Sequence, residues 1–386
     1  MNSISNATVC YVAHPYASFL HEVEKPARYV GGEFGETRKD WESIRMRMCL
    51  AFPDVYDIGM SHLGTRILYK QVNDQPDLLC ERAFTPWLDM EKQLRSRGLQ
   101  IVSLESGHAL RDFDVVGISI QHELVFTNVL TLLDLGGIPF RSADRTDNDP
   151  LVLGGGSGAT HPEPVAPFFD AFVIGDGEEK AGEVLRRWCE DKARGLTRSQ
   201  RLLHLAELGG VYVPSLYETR FDEASQRVVV ERPIAASVPM PVVRAFVENL
   251  DDYPFPEVFP TGGPESVFER FSVEIARGCT QGCRFCQAGM IFRPARERNP
   301  AGIVKTILDS VKASGQDEVA LTALSTADYT HIGGLVHEVS RRLRERRVAL
   351  GMSSLRAYGL SDGILRDIRS VRATGLTFAP EAGSQR

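Results

Sequence analysis

Apolar residues in the first half of the chain fall in short runs separated by stretches of helical period. The runs at 47–52, 114–120, 151–153 and 171–174 predict strands, and the spacing at 63–72, 87–97, 124–135 and 179–192 predicts helices. Such alternation implies a parallel sheet covered on both faces, with ligands bound at the carboxyl ends of the strands. Those ends carry Pro53-Asp54, the run Gly154-Gly155-Gly156-Ser157-Gly158, and Gly175-Asp176-Gly177-Glu178-Glu179. Glycine lets a ligand approach the backbone closely. Neither cluster has the dinucleotide spacing G-x-G-x-x-G or a following Walker lysine, so plain tight turns explain them equally well.

The pattern breaks between 196 and 268. Residues 211–216 and 227–231 predict a β-hairpin, and seven prolines from Pro233 to Pro264 predict a stiff, irregular connector. A second series follows, with strands expected at 271–276, 318–324, 347–352 and 376–379. Asn299-Pro300 reads as a helix cap and first-turn proline, followed by an apolar stripe of Ile303, Val304, Ile307, Leu308 and Val311. Further helices are expected at 332–346 and after Ser361. The fold class is therefore α/β: a Rossmann-like, flavodoxin-like parallel sheet, then a partial (β/α) barrel whose site lies at the strand C-termini. The expected units are an N-terminal arm at 1–43, the first sheet at 44–195, hairpin and connector at 196–268, and the incomplete barrel at 269–386.

The length of 386 residues fits two or three domains, and 43% hydrophobic with 25% charged residues fits a globular protein. No apolar run approaches the ~18–20 residues that span a bilayer, and Met1 to Cys10 lacks the basic and apolar regions of a secretory signal. The reading is a cytoplasmic chain without a membrane partner. The net charge of −7 is uneven: nine arginines against three acids lie between Arg341 and Arg372. Solvated helix faces account for them; attraction of an anionic partner is the sharper alternative. RNA is one such partner, but no stacking-aromatic RNA motif accompanies the arginines.

Cys10, Cys49, Cys80 and Cys189 stand singly and read as small buried hydrophobes. The other three cysteines, Cys279, Cys283 and Cys286, sit within eight residues as C-x3-C-x2-C, directly after the first strand of the second series. Thiolates suit iron–sulfur clusters and zinc alike. A structural zinc site wants four closed ligands, and no fourth Cys or His stands at a fitting spacing. Three ligands leave one metal position open for a small molecule. An iron–sulfur centre is the favoured reading; a zinc-stabilised interaction module and unligated thiols are the alternatives.

This spacing, with Phe285 before the last cysteine and the position after strand one, resembles the radical S-adenosylmethionine (SAM) superfamily. The resemblance extends over most of the chain from about Lys25, through Pro53 to His62, Gln287-Ala288-Gly289-Met290, and Phe378 to Ser384. It points to a subfamily of unassigned substrate with a cobalamin-binding-like domain in front. The resemblance implies a [4Fe–4S] cluster on the three cysteines, with SAM chelated at the open iron. It further implies a 5′-deoxyadenosyl radical that abstracts a substrate hydrogen, and an external electron donor of flavodoxin or ferredoxin type. Phe285 would lie near the adenine, Arg356 would pair with the SAM carboxylate, and Glu381 would bond the ribose. No catalytic residue for the substrate step is assigned.

Three departures from the family pattern stand out. Leu324-Ser325-Thr326-Ala327-Asp328 replaces the usual Gly-Gly-Glu, so Ser325 and Asp328 would have to hold the SAM amino group. The cobalamin motif D-x-H-x-x-G is absent: Asp57 is followed by Ile58 and Gly59, and His62 has the wrong spacing. Cobalamin would then bind without that histidine, and His62 reads as a loop or helix-start residue. Finally, Arg386 follows about four of the six strands of such barrels. A truncated, non-catalytic cluster-binding fragment is thus an alternative function, and a partner chain supplying the missing barrel half is another expectation.

Overall fold

The computed structural model describes residues 14–262, 267, 270–356, 361–373 and 375–379. The first sheet begins with β1 (Met46–Phe52), followed by the short α1 (Tyr56–Gly59), α2 (Leu63–Asn73), β2 (Leu78–Phe84) and α3 (Leu88–Arg97). Then come β3 (Val115–Ser119), α4 (Phe126–Leu135), β4 (Leu151–Gly155), β5 (Ala171–Val173), α5 (Lys180–Ala193), α6 (Arg198–Ala206) and β6 (Val211–Tyr212). The strand order is β2-β1-β3-β4-β5-β6, parallel except for β6. Met48 lies opposite Cys80 on one side and Val115 on the other. The chain leaves β1 outward to β2 and then crosses back to β3, so the topological switch, where such sheets bind ligands, lies between β1 and β3.

The boundaries of the expected strands and helices fall within a few residues of those observed, but β2, α6 and the hairpin differ. β2 reads LLCERAF, and its central Glu81 and Arg82 hide a fully buried strand from a hydrophobicity pattern. α6 lies inside the stretch expected to be irregular, started by a capping box between Thr197 and Gln200. The hairpin strand is not 211–216. Val211–Tyr212 pairs with β5, Pro214 ends it, and β7 (Tyr217–Asp222) pairs with β8 (Arg227–Pro233).

The second sheet is built from β9 (Phe271–Glu274), then β10 (Ala276–Arg277), α7 (Gln287–Ile291), β11 (Arg296–Glu297), α8 (Pro300–Ser314), β12 (Glu318–Thr322), α9 (Ile332–Glu345) and β13 (Ala349–Met352). β14 (Leu355–Arg356), α10 (Asp362–Ile368) and β15 (Phe378–Ala379) complete the described elements. β9, β12 and β13 form one parallel sheet in the order β13-β12-β9, and β14 pairs in parallel with β15. Asn299 caps α8 through Ala301 N, and Ser361 caps α10 through Ile364 N.

Two apolar cores result. The first takes in Tyr16, Phe19 and Val23, so the chain before β1 packs onto the sheet. The second includes Phe255 and Phe259 of the proline-rich connector, both against Phe271, together with Ile67 from α2. Cys49, Cys80 and Cys189 are buried as small hydrophobes; Cys10 lies outside the described residues. Among the described residues no helix is long and apolar enough to cross a membrane. Several of the clustered arginines are held in local ion pairs: Arg341 and Arg342 with Glu338, and Arg372 with Asp317 and Glu318.

Candidate active site

β10 and β11 form a two-stranded antiparallel ribbon in which Arg277 lies opposite Arg296. Residues 278–295, with the three cysteines, are the excursion it closes. Gly278 starts this loop at φ +87°, and a Cβ there would sit 2.4 Å from Phe292 O, so only glycine fits. Cys286 caps α7, its Sγ accepting from Gly289 N at 3.3 Å, while Cys279 Sγ accepts from Gln281 N at 3.5 Å. Cys283 Sγ lies 3.9 Å from Arg356 Nη2. All three thiols are half-buried and free of disulfides. Among the described residues no three His, Cys, Asp or Glu side chains converge into a ready ion cage. The donor set nonetheless suits a cluster: soft thiol ligands on one glycine-hinged loop, two of them already accepting backbone N–H bonds of the kind that tune cluster sulfurs.

Ser325, Asp328 and Arg356 come together beside this loop. Arg356 on β14 is buried, donates from Nε to Ser325 Oγ at 3.2 Å, and lies 3.6 Å from Asp328 Oδ2. Gln281 Nε2 from the cysteine loop donates to the same Asp328 oxygen at 3.0 Å. A guanidinium and a carboxylate this close are complementary to the carboxylate and ammonium of an α-amino acid. Phe285 is 72% exposed on the loop surface, so it does not pack behind the loop. Glu381 lies outside the described residues.

A cavity of about 460 Å³ opens where the C-terminal ends of the two sheets meet. Its floor is glycine backbone from three neighbouring strands: Gly117, Gly154 to Gly156, Gly175 and Gly177. A Cβ on Gly155 would meet nothing within 4 Å, so the missing side chain leaves open space above the sheet. His62 and Gln121 stand at the switch between β1 and β3 and line the wall, while Ala276, Arg277 and Gly278 line it from the cysteine loop. His62 is the cap of α2, its Nδ1 accepting from Thr65 N at 3.1 Å, which bears out the helix-start reading. Burial lowers its pKa to about 4, against a smaller opposing effect of its hydrogen bond with Gln121.

The wall between cavity and cysteine loop is charged. Asp176 accepts from Arg277 Nη1 at 2.9 Å, from Arg296 Nη1 at 2.5 Å and from Val247 N at 2.9 Å. Glu178 and Glu274 also bind Arg277, at 2.5 and 2.9 Å. Burial alone would raise the Asp176 pKa, but these donors outweigh it and hold the carboxyl below its usual range. The sequence placed Asp176 at a strand end where ligands bind and read His62 as a loop or helix-start residue, but it missed Gln121 and Arg277 as wall residues. For Arg277 the available signal was its position abutting the cysteine loop.

Residues 64–214 match the family described as radical SAM proteins, N-terminal, and residues 273–386 match the radical SAM superfamily. An uncharacterized protein of Methanocaldococcus jannaschii is 26% identical over 346 residues, covering 88% of this chain and 61% of the relative, so the chain spans under two thirds of that relative's length. Among solved structures, the radical SAM methyltransferase TsrM from Kitasatospora setae, with cobalamin and a [4Fe–4S] cluster bound, matches with a TM-score of 0.56 at 15% identity. That match covers 87% of this chain and 61% of TsrM. The cobalamin-dependent SAM radical enzyme OxsB, with aqua-cobalamin and SAM bound, matches with a TM-score of 0.51 at 14% identity, over 87% of this chain and 44% of OxsB. With both family matches flanking the connector and the cysteine loop at the end of β9, this chain belongs to the radical SAM superfamily.

Proposed function

We propose that the chain is a cobalamin-binding radical SAM enzyme acting on a substrate still to be identified. Cys279, Cys283 and Cys286 would hold a [4Fe–4S] cluster, and Arg356, Asp328 and Ser325 would orient the amino-acid end of SAM. The glycine floor between β3, β4 and β5 would carry cobalamin. The observation that carries this reading is a shared wall: Arg277 and Gly278, which open the cysteine loop, line the same cavity as His62, Gln121 and Gly154 to Gly156. When bound, the cluster supplies the electron that cleaves SAM, and cobalamin offers a carrier for a transferred group. The protein's part is positional. Buried Arg356 and the more exposed Asp328 present opposite charges beside the cysteine loop, and the glycine floor would leave room for a planar ligand. Exposure of Thr280, Gly282, Arg284 and Phe285 leaves the cysteine loop accessible to an external flavodoxin- or ferredoxin-type donor. The proposed units are the first sheet, which runs past the expected end at 195 through α6 and β6 to Tyr212, the hairpin and connector up to 268, and the cluster-bearing part at 269–386.

Anaerobic reconstitution tests the reading. About four irons and four sulfides per chain, lost when all three cysteines become Ala, together with saturable binding of SAM and hydroxocobalamin, is the expected result. One zinc without sulfide would favour the interaction module, and a four-iron cluster retained in the triple variant would remove the basis of the proposal.

A further inference from the structure

Six buried charges stand between the cavity and the cysteine loop, three acids and three arginines. Asp176 and Glu178 come from the turn after β5, Glu274 from β9, Arg277 from β10, and Arg296 and Arg298 from the segment leaving the loop. Each side chain is at most 15% exposed. Asp176 is central because its two oxygens take different stems of one ribbon: Oδ1 holds Arg277, where the chain enters the cysteine loop, and Oδ2 holds Arg296, where it leaves. The same turn, Gly175 to Glu178, forms part of the cavity wall.

We propose that Asp176 is a positioning residue that couples occupancy of the cavity to the placement of the cysteine loop. The inference rests on the cofactor reading above and adds a regulatory link to it. The backbone of the turn is tethered to the connector: Asp176 N donates to Ala245 O at 3.0 Å and Ala245 N donates to Ile174 O at 2.8 Å, and Gly175 packs so closely there that a Cβ would lie 2.1 Å from Ala245 O. A ligand pressing on the turn therefore acts through the Asp176 side chain. Because the carboxylate grips both stems, a small shift moves the ribbon as a unit. The third anchor, Arg244, donates to Ile291 O and Arg293 O near the end of the loop and precedes Ala245, which forms an isolated bridge with Gly175. Binding couplings are reciprocal, so a cluster on the cysteines must alter cobalamin affinity by the same factor that cobalamin alters cluster binding.

The test is a two-by-two measurement of hydroxocobalamin affinity. Cluster-loaded protein is compared with the Cys279→Ala/Cys283→Ala/Cys286→Ala variant, which removes both the cluster and thiol ligation of cobalt. The pair is then repeated with Asp176→Asn. The expected result is an affinity ratio of about fivefold or more between the two states with Asp176, falling below about twofold with Asn and restored by Asp176→Glu. A merely structural role would weaken both affinities together and leave the ratio unchanged, which overturns the inference. If Asp176→Asn does not fold, Glu178→Gln, which removes one partner of Arg277, must reduce the ratio instead; an unchanged ratio there also overturns it. Failure of the unmodified protein to bind hydroxocobalamin at all would sink the cofactor reading and this inference with it, an outcome distinct from binding without coupling.

Discussion

His62 Nδ1 accepts the Thr65 backbone N–H at 3.1 Å, so the imidazole that faces the cavity is also the cap of α2. The acceptor role assigns the proton to the other ring nitrogen. Gly64 supports this placement, because a Cβ there would lie 2.8 Å from the ring. Burial holds the ring neutral in the wall, against a smaller opposing effect of its hydrogen bond with Gln121.

A pH dependence follows. An unfolded histidine takes a proton near its ordinary value of 6.5, whereas the folded ring waits until about 4. The stability contributed by His62 is therefore fully present above pH 6.5 and is lost as pH falls toward 4. The slope from this one group is at most ~1.4 kcal/mol per pH unit. His62→Asn keeps a good capping acceptor but cannot titrate. Denaturation midpoints measured at pH 7, 6 and 5 should fall less steeply for the variant than for the unmodified chain, and parallel lines would refute the buried neutral ring.

The same geometry bears on cobalt. With Nδ1 engaged by α2 and a second bond to Gln121, His62 is unsuited to ligate cob(II)alamin. The paramagnetic resonance spectrum of bound cob(II)alamin should be unchanged when the protein is labelled with ¹⁵N-histidine. A change in superhyperfine splitting upon labelling, abolished in His62→Ala, would show that the ring leaves its cap to bind the metal.

Arg356 offers a test of the proposed SAM pocket. It is buried and shares Ser325 and Asp328 as partners. Losing a charged hydrogen bond costs roughly 1.5–3 kcal/mol and losing a neutral one roughly 0.5–1.5. Arg356→Ala should therefore weaken SAM binding by about 10- to 100-fold in equilibrium dialysis, and Ser325→Ala by about tenfold at most. Iron content must match, since Arg356 also approaches Cys283 Sγ. Equal SAM affinity at equal iron would remove Arg356 from the site.

How much of this was legible in the sequence depends on where each residue's partners lie. The cysteine loop was readable because its three cysteines and hinge glycine occupy one short segment. β2 was not: Glu81 and Arg82 look wrong for a buried strand until Arg82 meets Glu105 at 2.6 Å and Glu33 at 3.0 Å, and Ser106 donates to Glu81 at 2.6 Å. α6 was hidden in the same way, since the buried Arg201 lies over the Trp188 ring at 4.2 Å, a contact that no periodicity announces. The bond from Arg277 to Asp176 spans 101 positions. Local pattern carries elements and loop motifs, while charge compensation across the fold becomes visible only in three dimensions.

Two adjacent glycines of the cavity floor should respond in opposite ways. A Cβ on Gly154 would lie 2.4 Å from the ring of Phe172, which is fully buried and cannot retreat. Overpacking of this kind typically costs ~1–3 kcal/mol, so Gly154→Ala should lower the melting temperature measurably. Gly155 does not have a positive φ, and a Cβ there meets open space. Gly155→Leu should therefore fold with nearly unchanged stability while placing an apolar side chain where a flat ligand would lie. Hydroxocobalamin affinity should fall at least tenfold in that variant, read by absorbance titration, with SAM binding retained. If Gly155→Leu binds cobalamin as well as the unmodified protein, the ligand does not rest on the β4 floor, and the cavity serves something else.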